Sequence, residues 1–95
     1  YYQFNALGLL IGNQSWGHAK SRDMVHWEEL PDVLPPYVLS KGKSYSGSIV
    51  VDRQNSSGLR TGSNPLLVAC YTDTGYEPRA ECIASSNDLG RTFQY

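Results

Sequence analysis

The chain has 95 residues, a net charge of −1 from eight basic and nine acidic side chains, and 40% hydrophobic residues. Its charges are scattered, so no basic stripe is available for nucleic acid or an anionic membrane, and no apolar run approaches the roughly 20 residues of a membrane span. Seven Tyr, two Trp and nine Gly against a single Met are typical of a turn-rich β protein of the kind that often stacks on sugars. We therefore expect no nucleic acid or membrane partner.

Six extended segments are predicted, and no segment has a helical period. In chain order they are 1–5, 16–21, 25–30, 45–52, 66–72 and 80–85. Residues 31–36 contain three prolines, which remove backbone donors and restrict the preceding residues, so this stretch is predicted to be an extended linker. Residues 53–65 are polar and punctuated by Gly, which indicates a surface loop.

A short polar motif occurs twice, and each copy is followed by an aromatic residue. The copies are Ser21-x-Asp23 before Trp27 and Ser86-x-Asp88 before Phe93. Ser and Asp side chains in such a turn bond the backbone two residues on, and the aromatic residue anchors the returning strand. Each motif therefore predicts a hairpin, and the repetition favours a structural role for both Asp residues.

The spacing of the two motifs indicates the architecture. The two Asp residues are 65 positions apart, which suits one four-stranded sheet plus its connections. The simplest interpretation is two successive blades of a β-propeller, about 1–36 and 37–95, with chance repetition as the alternative. Two blades leave a sheet edge and a face unburied, so we expect the chain to be a fragment that needs neighbours to close its core.

Several motifs in order along the chain resemble glycoside hydrolase family 32, the invertases, inulinases, levanases and fructosyltransferases. They are Tyr2-Gln3-Phe4-Asn5, Trp16-Gly17-His18-Ala19-x-Ser21-x-Asp23-x-x-His26-Trp27-x-x-Leu30-Pro31, Tyr45-Ser46-Gly47-Ser48-x-Val50-Val51-Asp52, Asn55-Ser56-Ser57-Gly58 and Ile83-Ala84-x-Ser86-x-Asp88-x-Gly90-x-Thr92-Phe93. The resemblance implies the first two blades of a five-bladed propeller with an axial site, usually followed by a C-terminal β-sandwich. It also implies a secreted or vacuolar enzyme that needs no cofactor and acts on fructose-containing oligo- or polysaccharides of the sucrose, inulin or levan type.

The resemblance further implies a retaining mechanism with an Asp nucleophile, a Glu acid/base and a stabilising Asp. None of the three is expected in this chain, because the family's motifs for them precede Tyr1 or follow Tyr95. The fragment alone is therefore predicted to be inactive. Glu81-Cys82 is similar to the family's acid/base dipeptide but falls in a second-blade strand, so we interpret it as coincidence. Glu28 and Glu29 are adjacent on a strand and point to opposite faces, so they cannot flank one bond.

The resemblance leaves sugar contacts as the function of this chain. Gln3 matches the family's substrate-binding Gln, with a strand-end hydrogen bond as its alternative role. Tyr45 and Ser46 match an aromatic-Ser pair that faces the fructosyl ring, with core packing as the alternative for the Tyr. Trp16 is expected near the site, either as packing or as a contact. Ile11 stands where the family usually places a Trp that lines the fructosyl subsite, so a stacking surface is missing.

The remaining polar and sulfur-containing groups receive weaker assignments. His18 and His26 lack a third ligand at suitable spacing, so no metal site is predicted. Cys70 and Cys82 lie on strands that could pair, but two buried thiols are favoured over a disulfide because cross-strand bridges demand narrow geometry. Asn13 and Asn55 both begin glycosylation sequons, and Asn55, in the long polar loop, is the better acceptor in a secreted protein.

Two alternatives to a fructoside-cleaving enzyme remain open. The second Ser-x-Asp motif also resembles the Asp-box hairpin of sialidases, so a sialidase-like enzyme or a propeller lectin would show it, although residues 16–31 disfavour this. A catalytically silent, sugar-binding relative is supported by Ile11.

Overall fold

The structure, a computed structural model, describes residues 1–35 and 42–95, and every regular element in those ranges is a β-strand. The strands are β1 Tyr2–Phe4, β2 Ser15–Ser21, β3 Trp27–Val33, β4 Ser44–Asp52, β5 Leu66–Asp73 and β6 Ala80–Ser86. They form two antiparallel three-stranded sheets, ordered β1-β2-β3 and β4-β5-β6. The all-β prediction is confirmed, and each strand lies within a few residues of its predicted position.

The core lies between the two sheets. β5 pairs with β4 on one side and β6 on the other, and its successive side chains alternate between the two faces of the sheet. Ala69 and Tyr71 belong to the buried cluster, whereas Cys70 between them is exposed. The cluster comprises Trp16, Val33, Leu34, Ala69, Tyr71, Ala84 and Phe93. Residues of both sheets, together with Phe93 after the second turn, therefore hold the two blades against each other. Trp27, the aromatic residue after the first turn, is 57% exposed and does not take part.

Both Ser-x-Asp motifs form the predicted turns. Asp88 Oδ1 accepts hydrogen bonds from the backbone N–H groups of Arg91, at 3.0 Å, and Thr92, at 2.9 Å, and its Oδ2 accepts one from the Thr92 hydroxyl at 2.6 Å. Asp23 does the same for the N–H groups of Val25 and His26. After the second turn the chain rejoins the sheet where Gln94 pairs with Ser85. This bridge places Gln94 beside β6, at the edge of the second sheet.

The predicted linker at residues 31–36 is wrong in its first half, because β3 continues through Pro31 to Val33. β3 pairs only with β2, and a Pro on an edge strand removes no ladder hydrogen bond. The register shifts between Trp16 and His18, so the extra residues near Pro31 are accommodated as a bulge. Residue 36 and the predicted blade boundary at 36/37 lie outside the described residues.

The two cysteines are free thiols, as expected, but the expectation that both are buried is wrong, because Cys70 is exposed and Cys82 is half-buried. Tyr71 pairs with Cys82, and Cys70 pairs with Ile83. Because cross-strand partners share a face and neighbours alternate, the two sulfur atoms project from opposite faces of the sheet. The register, offset by one residue from the pairing that a disulfide would need, explains why the bridge does not form.

The Asp88 turn predicts a pH-dependent stability. Burial raises the pKa of Asp88, but the hydrogen bonds from Thr92, Ser86 and Arg91 outweigh it and lower the pKa from 3.8 to about 2. A carboxylate with a depressed pKa stabilises the folded state above its unfolded pKa, and this stabilisation is lost as the pH falls from about 4 to 2. In the full-length protein, Asp88→Asn should lower the free energy of unfolding by about 1 kcal/mol at pH 7. In urea titrations the difference from wild type should shrink below pH 4, and a difference that grows on acidification would contradict this role.

Candidate functional site

A cleft of about 470 Å³ lies where the end of β1 meets the start of β4. Its lining residues are Gln3, Ile11, Gln14, Tyr45, Ser46 and Thr72. These side chains come from β1, from the connection between β1 and β2, from β4 and from β5. Four of the five residues predicted to bind substrate therefore lie in one cleft, although they are distant in sequence.

Gln3 and Ser46 are joined at the floor of this cleft. The Ser46 hydroxyl donates a hydrogen bond to Gln3 Oε1 at 3.0 Å, and Gln3 Nε2 donates one to the Ser44 carbonyl oxygen at 3.1 Å. Both the oxygen and the nitrogen of the Gln3 amide are thus hydrogen-bonded, which fixes the orientation of the amide. Because the Ser46 proton is used, its oxygen is left as an acceptor, and Gln3 Nε2 keeps a second N–H. The pair offers one acceptor and one donor to a ligand that carries hydroxyl groups.

The start of β4 is irregular, and this brings Tyr45 and Ser46 to the cleft. The pairing of β4 with β5 shifts between Ser44 and Gly47, so the intervening residues lie outside the regular ladder. The Ser44 N–H donates to the carbonyl oxygen of Gln14 at 3.1 Å, which ties the β1–β2 connection to this bulge. Backbone contacts therefore set the distance between the two walls of the cleft.

Tyr45 and Trp16 have different positions. Tyr45 is partly exposed at the cleft, and the Arg79 guanidinium carbon lies 5.6 Å from its ring centroid, which holds the ring by a cation–π contact. Trp16 is 5% exposed, and its indole N–H donates to the Tyr45 carbonyl oxygen at 3.0 Å. Trp16 also borders a neighbouring cleft with Gln3 and Ser46. Its burial suits packing that positions the backbone of Tyr45.

Ile11 lies on the loop between β1 and β2, and the side chain of Asn5 stabilises the conformation of this loop. Asn5 Oδ1 accepts from the Leu7 N–H at 3.0 Å, and Asn5 Nδ2 donates to the Leu10 carbonyl oxygen at 2.7 Å. Ile11 is 88% exposed and faces both this cleft and a second lobe of about 350 Å³. The second lobe adds Leu9 and Leu10 to the wall. An aliphatic rim thus stands where a flat aromatic ring was expected from the resemblance.

Gln14 is a cleft residue that the sequence did not reveal. It lines both lobes, together with Gln3 and Ile11, and is 7% exposed. In sequence it looked only like the middle residue of the Asn13 sequon. The Ser15 hydroxyl of that sequon is 1% exposed and donates to Asp32 Oδ2 at 3.0 Å, which makes Asn13 the poorer acceptor.

No acidic or histidine residue lines the cleft among the described residues, although Glu81 contacts its lining residue Thr72. Glu81 is exposed and accepts from the Thr72 hydroxyl at 2.7 Å. Glu28 pairs with Lys20 at 3.2 Å on the surface. His18 is buried against the ring of Tyr1, with ring centroids 4.5 Å apart.

In the described part of the chain, no three His, Cys, Asp or Glu side chains are grouped closely enough to hold a metal ion. The same part contains no helix long and apolar enough to cross a membrane.

Two antiparallel three-stranded sheets that share one core, with a cleft of polar and apolar side chains at their junction, define part of a β-propeller. The profile of the glycosyl hydrolases family 32 N-terminal domain matches residues 1–95, and the chain belongs to this family. The resemblance noted from the motifs is thereby confirmed, and the sialidase-like alternative is excluded.

Relatives of known activity match almost the whole chain. The levanase of Bacillus subtilis is 47% identical over 98% of this chain and 13% of the levanase. The extracellular exo-inulinase of Aspergillus niger is 40% identical over 99% of this chain and 17% of its own length. The invertase of Schwanniomyces occidentalis is 40% identical over 98% of this chain and 18% of its own length. The chain therefore spans less than a fifth of each of these proteins.

Solved structures agree with the fold. The exo-inulinase of Aspergillus awamori superposes with a TM-score of 0.81 and 34% identity, covering 97% of this chain and 21% of that enzyme. The β-fructofuranosidase of Schwanniomyces occidentalis in complex with fructosyl-erythritol gives 0.84 and 38%, covering 97% and 19%. The two sheets described here are thus two blades of the family's propeller.

Proposed function

We propose that the full-length protein is a β-fructofuranosidase-type glycoside hydrolase that acts on substrates of the sucrose, inulin or levan type. The observation that carries this proposal is the hydrogen-bonded pair of Gln3 and Ser46 at the floor of a cleft shared with Tyr45. Relatives that match nearly the whole chain are a levanase, an exo-inulinase and an invertase, which supports a fructoside as the ligand.

The cleft binds the sugar and leaves bond cleavage to groups elsewhere in the protein. Ser46 Oγ accepts a hydrogen bond from one hydroxyl, Gln3 Nε2 donates to another, and Tyr45 supplies an apolar wall for the ring. The proposed retaining mechanism needs two carboxyl groups about 5 Å apart, one as nucleophile and one as acid and then base. Those carboxylates are proposed to lie outside this chain, with the nucleophile before Tyr1 and the other carboxylates in later blades after Tyr95, followed by a C-terminal β-sandwich.

We propose secretion as the location, because relatives include extracellular exo-inulinases. Asn55 is the proposed glycosylation site. It lies in a loop that Asp52 organises by accepting hydrogen bonds from the backbone N–H groups of Ser56 and Ser57, each at 2.9 Å. Both serines are exposed, in contrast to the buried Ser15 of the other sequon.

The direct test of the activity is fructose release by the purified full-length protein from sucrose, inulin and levan. We expect release from at least one of the three, and the ratio of the rates identifies the preferred class. A well-folded protein that binds fructose but releases none from any of them would support the silent sugar-binding alternative, for which the missing aromatic surface at Ile11 is the supporting observation.

A further inference from the structure

We propose that the Gln14 side-chain amide is a further substrate-binding group, which hydrogen-bonds a sugar hydroxyl beside Ile11. This inference rests on the proposed function, since it takes a fructoside as the ligand of the cleft. It adds a specificity-determining contact from the β1–β2 connection to the cleft that Ser46 also lines.

The first observation is that the side-chain oxygen of Gln14 is buried without a hydrogen-bond partner among the described residues. The residue is 7% exposed, and no hydrogen-bond partner for its Oε1 exists among residues 1–35 and 42–95. Its backbone is held firmly, because its carbonyl oxygen accepts from the Ser44 N–H at 3.1 Å. The side chain thus starts from a fixed point at the cleft, while the described protein does not satisfy its oxygen.

The second observation is the position of Gln14 between the two lobes. The lobe that contains Tyr45 and Ser46 and the lobe that contains Leu9 and Leu10 share Gln14, together with Gln3 and Ile11. A ligand that occupies either lobe therefore lies next to the side chain of Gln14. Gln14 therefore lies, with Gln3 and Ile11, where both parts of a bound oligosaccharide would meet.

Energetics favours a ligand role over simple packing. A buried polar atom without a hydrogen bond costs about 1–3 kcal/mol, and an apolar residue of similar shape would avoid this cost. Rotation about the terminal torsion exchanges the amide oxygen and nitrogen, and a hydroxyl can bond either one, since it both donates and accepts. A bound sugar hydroxyl would pair the buried amide oxygen that has no partner among the described residues.

The neighbours of Gln14 indicate which face of the ligand it meets. Ile11 gives the cleft an aliphatic surface and Gln14 a directional hydrogen bond, and a sugar ring offers both an apolar face and hydroxyl groups. The two residues therefore take the place of a stacking aromatic ring. The apolar face of the sugar packs on Ile11, and one of its hydroxyl groups hydrogen-bonds to Gln14.

The test is Gln14→Met in the full-length protein, with Gln54→Met in the exposed loop as the matched control. Met keeps the length of the side chain and removes its hydrogen-bonding groups. We expect the KM for the preferred fructoside and the Kd for fructose to rise about tenfold, the loss of one hydrogen bond worth about 1.4 kcal/mol. The melting temperature should stay equal or rise, since an unpaired buried amide oxygen is removed. Gln54→Met should change neither constant.

Unchanged KM and fructose Kd in a folded Gln14→Met variant would overturn the inference and reduce Gln14 to packing. If that variant does not fold, Gln14→Leu replaces it with the same readouts. Failure of the proposed function is distinguishable: a wild-type protein that binds fructose without cleaving any fructoside ends the hydrolase proposal, while the fructose Kd still tests Gln14. A wild-type protein that does not bind fructose overturns both.

Discussion

Replacing Gly47 with Ala is expected to destabilise the protein by at least about 3 kcal/mol, enough to unfold a domain of ordinary marginal stability. A Cβ at this position would lie 1.9 Å from the Cys70 carbonyl oxygen and 2.8 Å from the Tyr71 Cα. These are backbone atoms of the neighbouring strand, so no side-chain rotation relieves the clash. β4 would have to separate from β5 next to Ser46, and the cleft would lose its floor.

The matched control is Gly62→Ala, because a Cβ at Gly62 meets nothing within 4 Å and should change the free energy of unfolding by less than about 0.5 kcal/mol. Thermal and urea unfolding of the two full-length variants would be compared with wild type. Equal stability of Gly47→Ala and Gly62→Ala would show that β4 and β5 do not approach each other as described.

Removing either member of the Gln3–Ser46 pair should lower kcat/KM on the preferred fructoside by about ten- to a thousandfold. Each change to Ala removes one or two well-placed hydrogen bonds to the substrate, and it also frees the remaining partner from its fixed orientation. Stability should change little, since both side chains are exposed at the cleft. Steady-state kinetics with melting temperatures would separate the two effects.

The hydrogen bond between Gln3 and Ser46 also predicts how the two substitutions combine. Because Ser46 Oγ and Gln3 Oε1 are hydrogen-bonded to each other, the two changes should not be additive, and the double variant should lose less than the product of the single losses. Normal turnover by both single variants would contradict the site assignment and strengthen the silent sugar-binding alternative.

Local patterns were sufficient to predict the strands and turns of this chain. The Ser-x-Asp turns are predictable because their side chains hydrogen-bond nearby backbone groups, which is a local signal. β5 is predictable because a strand at the centre of a sheet is a nearly continuous apolar run. The linker at residues 31–36 was misjudged because an edge strand tolerates Pro31, and the edge position of β3 is a property of the sheet and not of the segment. The offset of Cys70 from Cys82 likewise depends on a strand register that composition does not fix.

The candidate site was accessible from sequence only through family motifs. Gln3, Tyr45 and Ser46 stand in recognisable motifs, and the structure brings them together with Ile11. No motif marks Gln14, whose importance comes from burial beside Ser44 and from the absence of a partner for its Oε1 among the described residues. Such features arise from tertiary packing, so sequence patterns could not reveal them.

The most direct measurement of the central claim is a crystal structure of the full-length protein soaked with fructose. We predict sugar hydroxyl oxygens within about 3.2 Å of both Ser46 Oγ and Gln3 Nε2, with the ring against Tyr45. A sugar bound elsewhere, with Gln3 and Ser46 bonded only to each other and to the Ser44 carbonyl oxygen, would contradict the assignment of this cleft.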